Sequence, residues 1–201
     1  MPKVTDSHRR AQEERFIDAA RRCFTRLGVE GTSMEQVRTE AGVSAGLMYR
    51  YFASKDDMIR AAIAGSLAEF EAIVVETETS EGAATPGGYL RLLLDNLRKL
   101  RNHSAGVDLF KLAIQGWAHA QSRPEAKTVI TESFAHQMMS FRAVAARWTS
   151  ADKADATAQA IGGVVIGYVV QSAFIDLEID VDLYCSGLEQ LGWSNVDTAK
   201  P

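Results

Sequence analysis

The sequence predicts an all-α protein: an N-terminal three-helix helix-turn-helix head, residues 1–53, continuing into a larger C-terminal helical body, residues 54–201. Three observations carry this prediction. Apolar residues recur at helical spacing along most of the chain, few runs favour strands, and residues 32–55 (TSMEQVRTEAGVSAGLMYRYFASK) spell two short helices, a tight turn and a third helix start. At 201 residues and 46% hydrophobic content, the chain has enough apolar surface for one sizeable core or two unequal domains.

The first helix reads over 8–27. Phe16, Ala19, Ala20, Cys23, Phe24 and Leu27 form its apolar stripe, and Gly28 ends it. Arg9, Arg10, Arg15, Arg21, Arg22 and Arg26 lie along the same helix among three acids, either as phosphate contacts or as a solvated face. Thr32 or Ser33 caps the next helix, with Glu35 or Gln36 placed to close a capping box, and Met34, Val37 and Ala41 keep helical spacing. Gly42 suits the left-handed residue that ends that helix, Val43 plugs the interhelical angle, and Ser44 caps the following helix, expected over 45–51. That second motif helix opens with Ala45 and Gly46, almost free of side chain, so its N-terminus can approach a phosphate or a base edge. Tyr49, Arg50 and Tyr51 then supply two hydroxyls and a guanidinium. Val43, Met48 and Phe52 read as core of the head.

Ser54 begins a long helix with Asp56 and Asp57 in its first turn, where they complement the helix dipole, and Met58, Ile59, Ala62, Ile63 and Leu67 carry it towards Val75. Residues 76–88 are small, polar and glycine-rich and read as a loop. Further helices are expected over 89–101, 107–121, 124–148, 151–177 and 183–191, with a frayed end at 194–201. Pro124 suits a first helical turn, and Val129, Ile130, Phe134, Met138, Phe141, Val144 and Ala145 hold period behind it. The segment AIGGVVIGYVVQSAF, 160–174, is apolar nearly all round and carries Gly162, Gly163 and Gly167, which suggests close helix approach. It reads as a buried helix and a subunit interface, with Gly163, Gly167, Val170, Phe174 and Leu188 as interface candidates. A membrane span is the rival; about fifteen residues are too few for it, and Asp152, Asp155, Asp176 and Glu178 flank the segment.

The net charge of −4 is unevenly spread. Residues 1–60 hold eleven Lys/Arg against nine Asp/Glu, whereas 61–201 hold eleven against seventeen, so the basic excess accompanies the motif. Residues 1–15 lack the apolar core of a signal peptide, which leads us to expect a cytoplasmic, non-membrane protein. Cys23 and Cys185 form no metal-ligand spacing, and His8, His103, His119 and His136 are scattered, so no metal and no cofactor are expected. GxSxG and HExxH are absent, and Asp95, Asp108 and Glu132 read as surface charges, so the chain is not expected to be an enzyme.

Phe16 through Leu27, followed by GVEGTSMEQVRTEAGVSAGLMYRYFASKDDMI over 28–59, closely resembles the DNA-binding head of TetR-type bacterial transcriptional regulators: a glycine, a Thr/Ser-rich helix start, Ala-Gly-Val-Ser, then Tyr-x-Tyr-Phe-x-Ser-Lys. The resemblance covers roughly residues 8–60. It implies a helical homodimer that sets one recognition helix of each subunit in successive major grooves of an operator on double-stranded DNA, and a body that binds a small molecule and releases the DNA. By that resemblance Thr32 and Ser33 meet phosphate, Ser44, Ala45 and Gly46 approach the bases, Tyr49 and Tyr51 touch the backbone or thymine methyls, and Lys55 holds phosphate. Arg50 either donates to guanine or binds phosphate. Leu47 departs from the threonine that many relatives carry, which removes one phosphate hydrogen bond. The candidate lining of an effector pocket is Phe70, Phe110, Trp117, Phe134, Met138, Met139, Tyr168 and Gln171, for an apolar or aromatic effector. The alternative keeps the head and makes the body a dimerisation or protein-partner module without a small-molecule pocket.

Overall fold

The computed structural model describes residues 6–101, 106–175 and 179–191, and every regular element among them is helical. In chain order these are α1 (Asp6–Leu27), α2 (Met34–Ala41), α3 (Ala45–Tyr49), α4 (Lys55–Glu78), α5 (Pro86–Arg101), α6 (Leu109–Ala120), α7 (Pro124–Ala145), α8 (Ala151–Ile175) and α9 (Val181–Gln190), with a single 3-10 turn at Glu81–Ala84. His103, Asp176, Glu178 and the expected frayed end at 194–201 lie outside the described residues.

Most boundaries follow local chemistry. Asp108 caps α6 by accepting from the N–H groups of Phe110 and Lys111, and Asp180 caps α9 through Asp182 and Leu183. The stretch expected as a loop is largely helical: α4 runs to Glu78, and α5 starts at Pro86, whose missing N–H costs nothing in a first turn. By contrast α3 is shorter than expected, ending at Tyr49.

The chain divides into two compact units, one of residues 6–66 and 106–130, the other of residues 67–101, 131–175 and 179–191. The sequence placed the boundary between residues 53 and 54; the units divide α4 after Ser66 and join α6 to the head. Hydrogen bonds explain this. The Val29 N–H donates to Gln115 Oε1 at 2.7 Å, the Asp108 N–H to Thr25 Oγ1 at 3.3 Å, and Glu30 pairs with His119 at 2.9 Å. The core of this first unit includes Phe16, Phe24, Val37, Met48, Phe52, Met58 and Ile59.

In the second unit α5 packs on α8, α9 and the 3-10 turn, burying Leu90, Leu93, Leu94 and Leu97 with Phe141, Val144, Ile161 and Tyr168. Contrary to the expectation that this segment is too short to span a membrane, α8 has 25 residues and an 18-residue window of mean hydropathy 1.6, enough for a span by length and composition. Within the unit it behaves as a core helix: Ala154, Ala158, Ile161, Gly162, Val165, Tyr168, Val169 and Ser172 are buried along one side. A Cβ on Gly162 would lie 2.7 Å from Met138 Cε, so that glycine lets the α7 side chain approach α8.

Candidate nucleic-acid interface

The motif is assembled by caps. Ser33 Oγ accepts from the Gln36 N–H at 3.2 Å while Gln36 Oε1 accepts from the Ser33 N–H at 2.7 Å, closing the expected capping box at α2, a feature worth about 1 kcal/mol. Gly42, at φ +66°, ends α2 with its N–H turned back to Arg38 and Thr39 carbonyls. Arg38, which the sequence reading did not single out, then donates from Nη1 to the Val43 carbonyl at 2.8 Å and braces the turn. Ser44 caps α3 by accepting from the Leu47 N–H at 3.4 Å.

One side of α3 is anchored. Met48 and Phe52 are buried, and the Phe16 ring meets Tyr51 edge-on at 5.1 Å and Phe52 at 6.4 Å. The other side is bare: Ser44, Ala45, Gly46, Tyr49 and Arg50 are exposed, Tyr49 at 55%, while Leu47 and Tyr51 are half-buried. A Cβ on Gly46 would meet nothing within 4 Å. The result is a ridge at i, i+1, i+4 and i+5, small at its start and ending in a phenol and a guanidinium, the shape a groove-entering helix requires.

The remaining head candidates divide. Ser33 is exposed at the α2 N-terminus, and half-buried Lys55 stands at the start of α4, donating one of its three ammonium hydrogens to the Glu30 carbonyl at 3.0 Å. Thr32 does not present its hydroxyl: it is 2% exposed and bonded to the Gly28 carbonyl at 2.7 Å, so it holds the turn. The α1 arginines are also largely committed. Arg22 and Arg26 pair with Glu40 at 2.8 and 3.3 Å, pulling its carboxyl below the usual range chiefly through the Arg22 hydrogen bond, and Arg21 is buried. Arg15 donates to the Ala41 carbonyl at 3.3 Å, while Arg9 and Arg10 are exposed. Sequence spacing shows the charges but not these cross-helix pairings.

The candidate pocket residues fall in both units. Phe110 and Trp117 belong to the first unit; Phe70, Phe134, Met138, Met139, Tyr168 and Gln171 belong to the second. Met139 is 59% exposed, whereas Tyr168 is buried and stacks edge-on against Tyr184 at 5.7 Å. Among interface candidates, Gly163 faces open space and Phe174 is 74% exposed, while Val170 and Leu188 are half-buried. Gly167 is half-buried, a Cβ there standing 3.4 Å from the Tyr184 hydroxyl. Leu183 and Leu191, which the sequence places on the apolar face of the last helix, are 72% and 82% exposed.

Residues 16–62, which contain the whole motif, match the family described as bacterial regulatory proteins, tetR family. The chain is similar to the uncharacterized HTH-type transcriptional regulator YfiR of Bacillus subtilis, 32% identical over 61% of this chain and 60% of that protein. It is also similar to the HTH-type transcriptional repressor Rv1474c of Mycobacterium tuberculosis, 32% identical over 51% of this chain and 58% of that one. The matches thus span about three-fifths of these relatives. In fold it resembles a transcriptional regulator of Pseudomonas aeruginosa PAO1, with a TM-score of 0.77 and 19% identity over 95% of this chain and 92% of the other.

Proposed function

We propose that this chain, whose residues 16–62 match the bacterial regulatory proteins of the tetR family, is a transcriptional repressor and not an enzyme, acting in the cytoplasm and binding a palindromic operator as a homodimer. The observation that carries this reading is the bare ridge of α3, anchored underneath by Met48 and Phe52 and capped by Ser44. A helix so short and so exposed contributes little to the core, and its ridge has the small entrance and polar end of a base-reading element. Ser33, Lys55, Tyr49 and Tyr51 supply backbone contacts that set register, and Arg50 is the one long donor placed near base edges. Repression is suggested by the name of the mycobacterial relative.

Dimerisation is assigned to the exposed apolar residues at the end of α8 and on α9, Phe174, Ile175, Leu183 and Leu191, with Gly163 further along α8. A small-molecule effector bound in the helical body releases the operator by favouring the arrangement that does not fit DNA. The test is Gly46→Glu. Because a Cβ at Gly46 meets nothing in the chain, the variant should fold as the parent does, while a carboxylate on the ridge repels phosphate. Loss of binding in a mobility-shift assay, with an unchanged melting curve, is the expected outcome; retained operator binding would move the interface off α3.

A further inference from the structure

Among the described residues of the second unit, three buried side-chain polar atoms find no hydrogen-bond partner: Oε1 of Glu78 at the end of α4, the hydroxyl of Tyr89 on α5 and Oγ of Ser172 on α8. A buried polar group left unmet is unfavourable. Glu78 and Tyr89 share one desolvated region. Burial pushes both the Glu78 carboxyl and the Tyr89 phenol above their ordinary values, and the Glu78 charge acts on the phenol in the same direction. The Tyr89 ring, 0% exposed, lies 5.6 Å from that of Trp148, whose indole N–H is fixed on the Ala84 carbonyl at 3.0 Å. Arg147 acts on both titratable groups, yet the bond it makes to Glu78 goes to the main-chain carbonyl, at 3.0 Å, and Oε1 stays unmet.

We propose that Glu78, Tyr89 and Trp148 form the polar end of the effector site and select an organic cation that carries N–H donors, an aromatic amine or amidine. This rests on the effector reading above. A carboxylate oxygen and a phenol oxygen both accept from such a group, its charge compensates a desolvated carboxylate, and neighbouring aromatic rings attract a cation. An anion meets repulsion from Glu78, and a wholly apolar molecule leaves both oxygens unmet. The aromatic and methionine positions picked from sequence missed these residues, because neither Glu78 nor Tyr89 sits in a motif; only burial without a partner marks them.

The test is titration calorimetry on the full chain with benzamidine and its neutral isostere benzamide, using the parent, Glu78→Gln and Tyr89→Phe. The parent should bind benzamidine at least tenfold more tightly than benzamide, Glu78→Gln should abolish that preference, and Tyr89→Phe should weaken benzamidine several-fold. Tyr89→Phe removes an unmet buried hydroxyl and Glu78→Gln removes a desolvated charge while keeping the side chain's shape, so both should melt no lower than the parent; if one fails to fold, the other carries the same comparison. Equal binding of the two compounds, binding of neither, or a preference that survives in Glu78→Gln overturns the proposal. Operator release is measured alongside. A neutral compound that releases DNA equally from the parent and Glu78→Gln overturns the cation subsite and leaves the effector reading standing. A benzamidine preference confirmed by Glu78→Gln, with DNA that no compound releases, supports the subsite and overturns the effector reading.

Discussion

Gln115 on α6 accepts the main-chain N–H of Val29 at 2.7 Å, and one turn along the same helix His119 Nδ1 lies 2.9 Å from the Glu30 carboxylate. Two consecutive residues of the turn that leads into the helix-turn-helix are therefore held by α6. Glu30 in turn offers its carbonyl to Lys55 at 3.0 Å, so one short loop joins α6, α2 and the start of α4.

Replacing Gln115 with Leu leaves the part-buried Val29 N–H without a partner. Such a loss costs about 1–3 kcal/mol, and operator affinity should fall several-fold as the turn loosens. Urea unfolding followed by circular dichroism, with DNA binding measured in parallel, checks both effects. Unchanged stability would show that α6 does not hold the turn.

The head should lose stability in acid. Glu30 is held below the usual carboxylate value chiefly by its hydrogen bond to His119, and Glu40 chiefly by that to Arg22. A depressed folded value means that the stabilisation is complete above the unfolded value, about 4.3, and drains away as the pH falls through the lowered folded one. Glu40→Gln should therefore be less stable than the parent at pH 7 and converge with it towards pH 3. A difference that stays constant from pH 7 to pH 3 would rule out the Glu40 charge as its source.

Much of this architecture was legible in the sequence, because caps and periodicity are local signals. Ser33 with Gln36, Gly42 and Ser44 each act where the spacing placed them, and the apolar stripe of α1 is the buried one. What stayed hidden depends on neighbours distant in sequence. Arg22 and Arg26 read from sequence as phosphate contacts or a solvated face, and nothing local shows that both pair with Glu40, eighteen and fourteen residues on. The loop reading of residues 76–88 failed because composition outweighed the suitability of Pro86 for a first turn.

Arg50→Ala and Lys55→Ala should differ in kind. If Arg50 reads guanine, its loss relaxes preference at one base pair by about 1–3 kcal/mol, whereas losing Lys55 weakens every sequence alike and reduces the salt slope by about one. Binding to a set of single-base operator variants at several salt concentrations separates them. Uniform weakening by Arg50→Ala, with selectivity intact, assigns that residue to phosphate.

The dimer assignment is tested on Phe174, 74% exposed, rather than on half-buried Gly167, where a Cβ would already touch the Tyr184 hydroxyl of the same chain at 3.4 Å. Phe174→Glu combined with Leu183→Glu should give a folded monomer at micromolar concentration and weak half-site binding. Sedimentation velocity decides it: a double variant that remains dimeric places the interface on another face.

The central claim, that two exposed α3 ridges read DNA together, is tested most directly by selecting bound sequences from random duplex DNA with the full chain. The account predicts enrichment of one dyad-symmetric site whose half-sites are centred about one helical turn apart, roughly 34 Å. Affinity for that site should fall with salt at a log-log slope near −7, as expected for about eight phosphate contacts. No enrichment, or an enriched site without dyad symmetry, would contradict it.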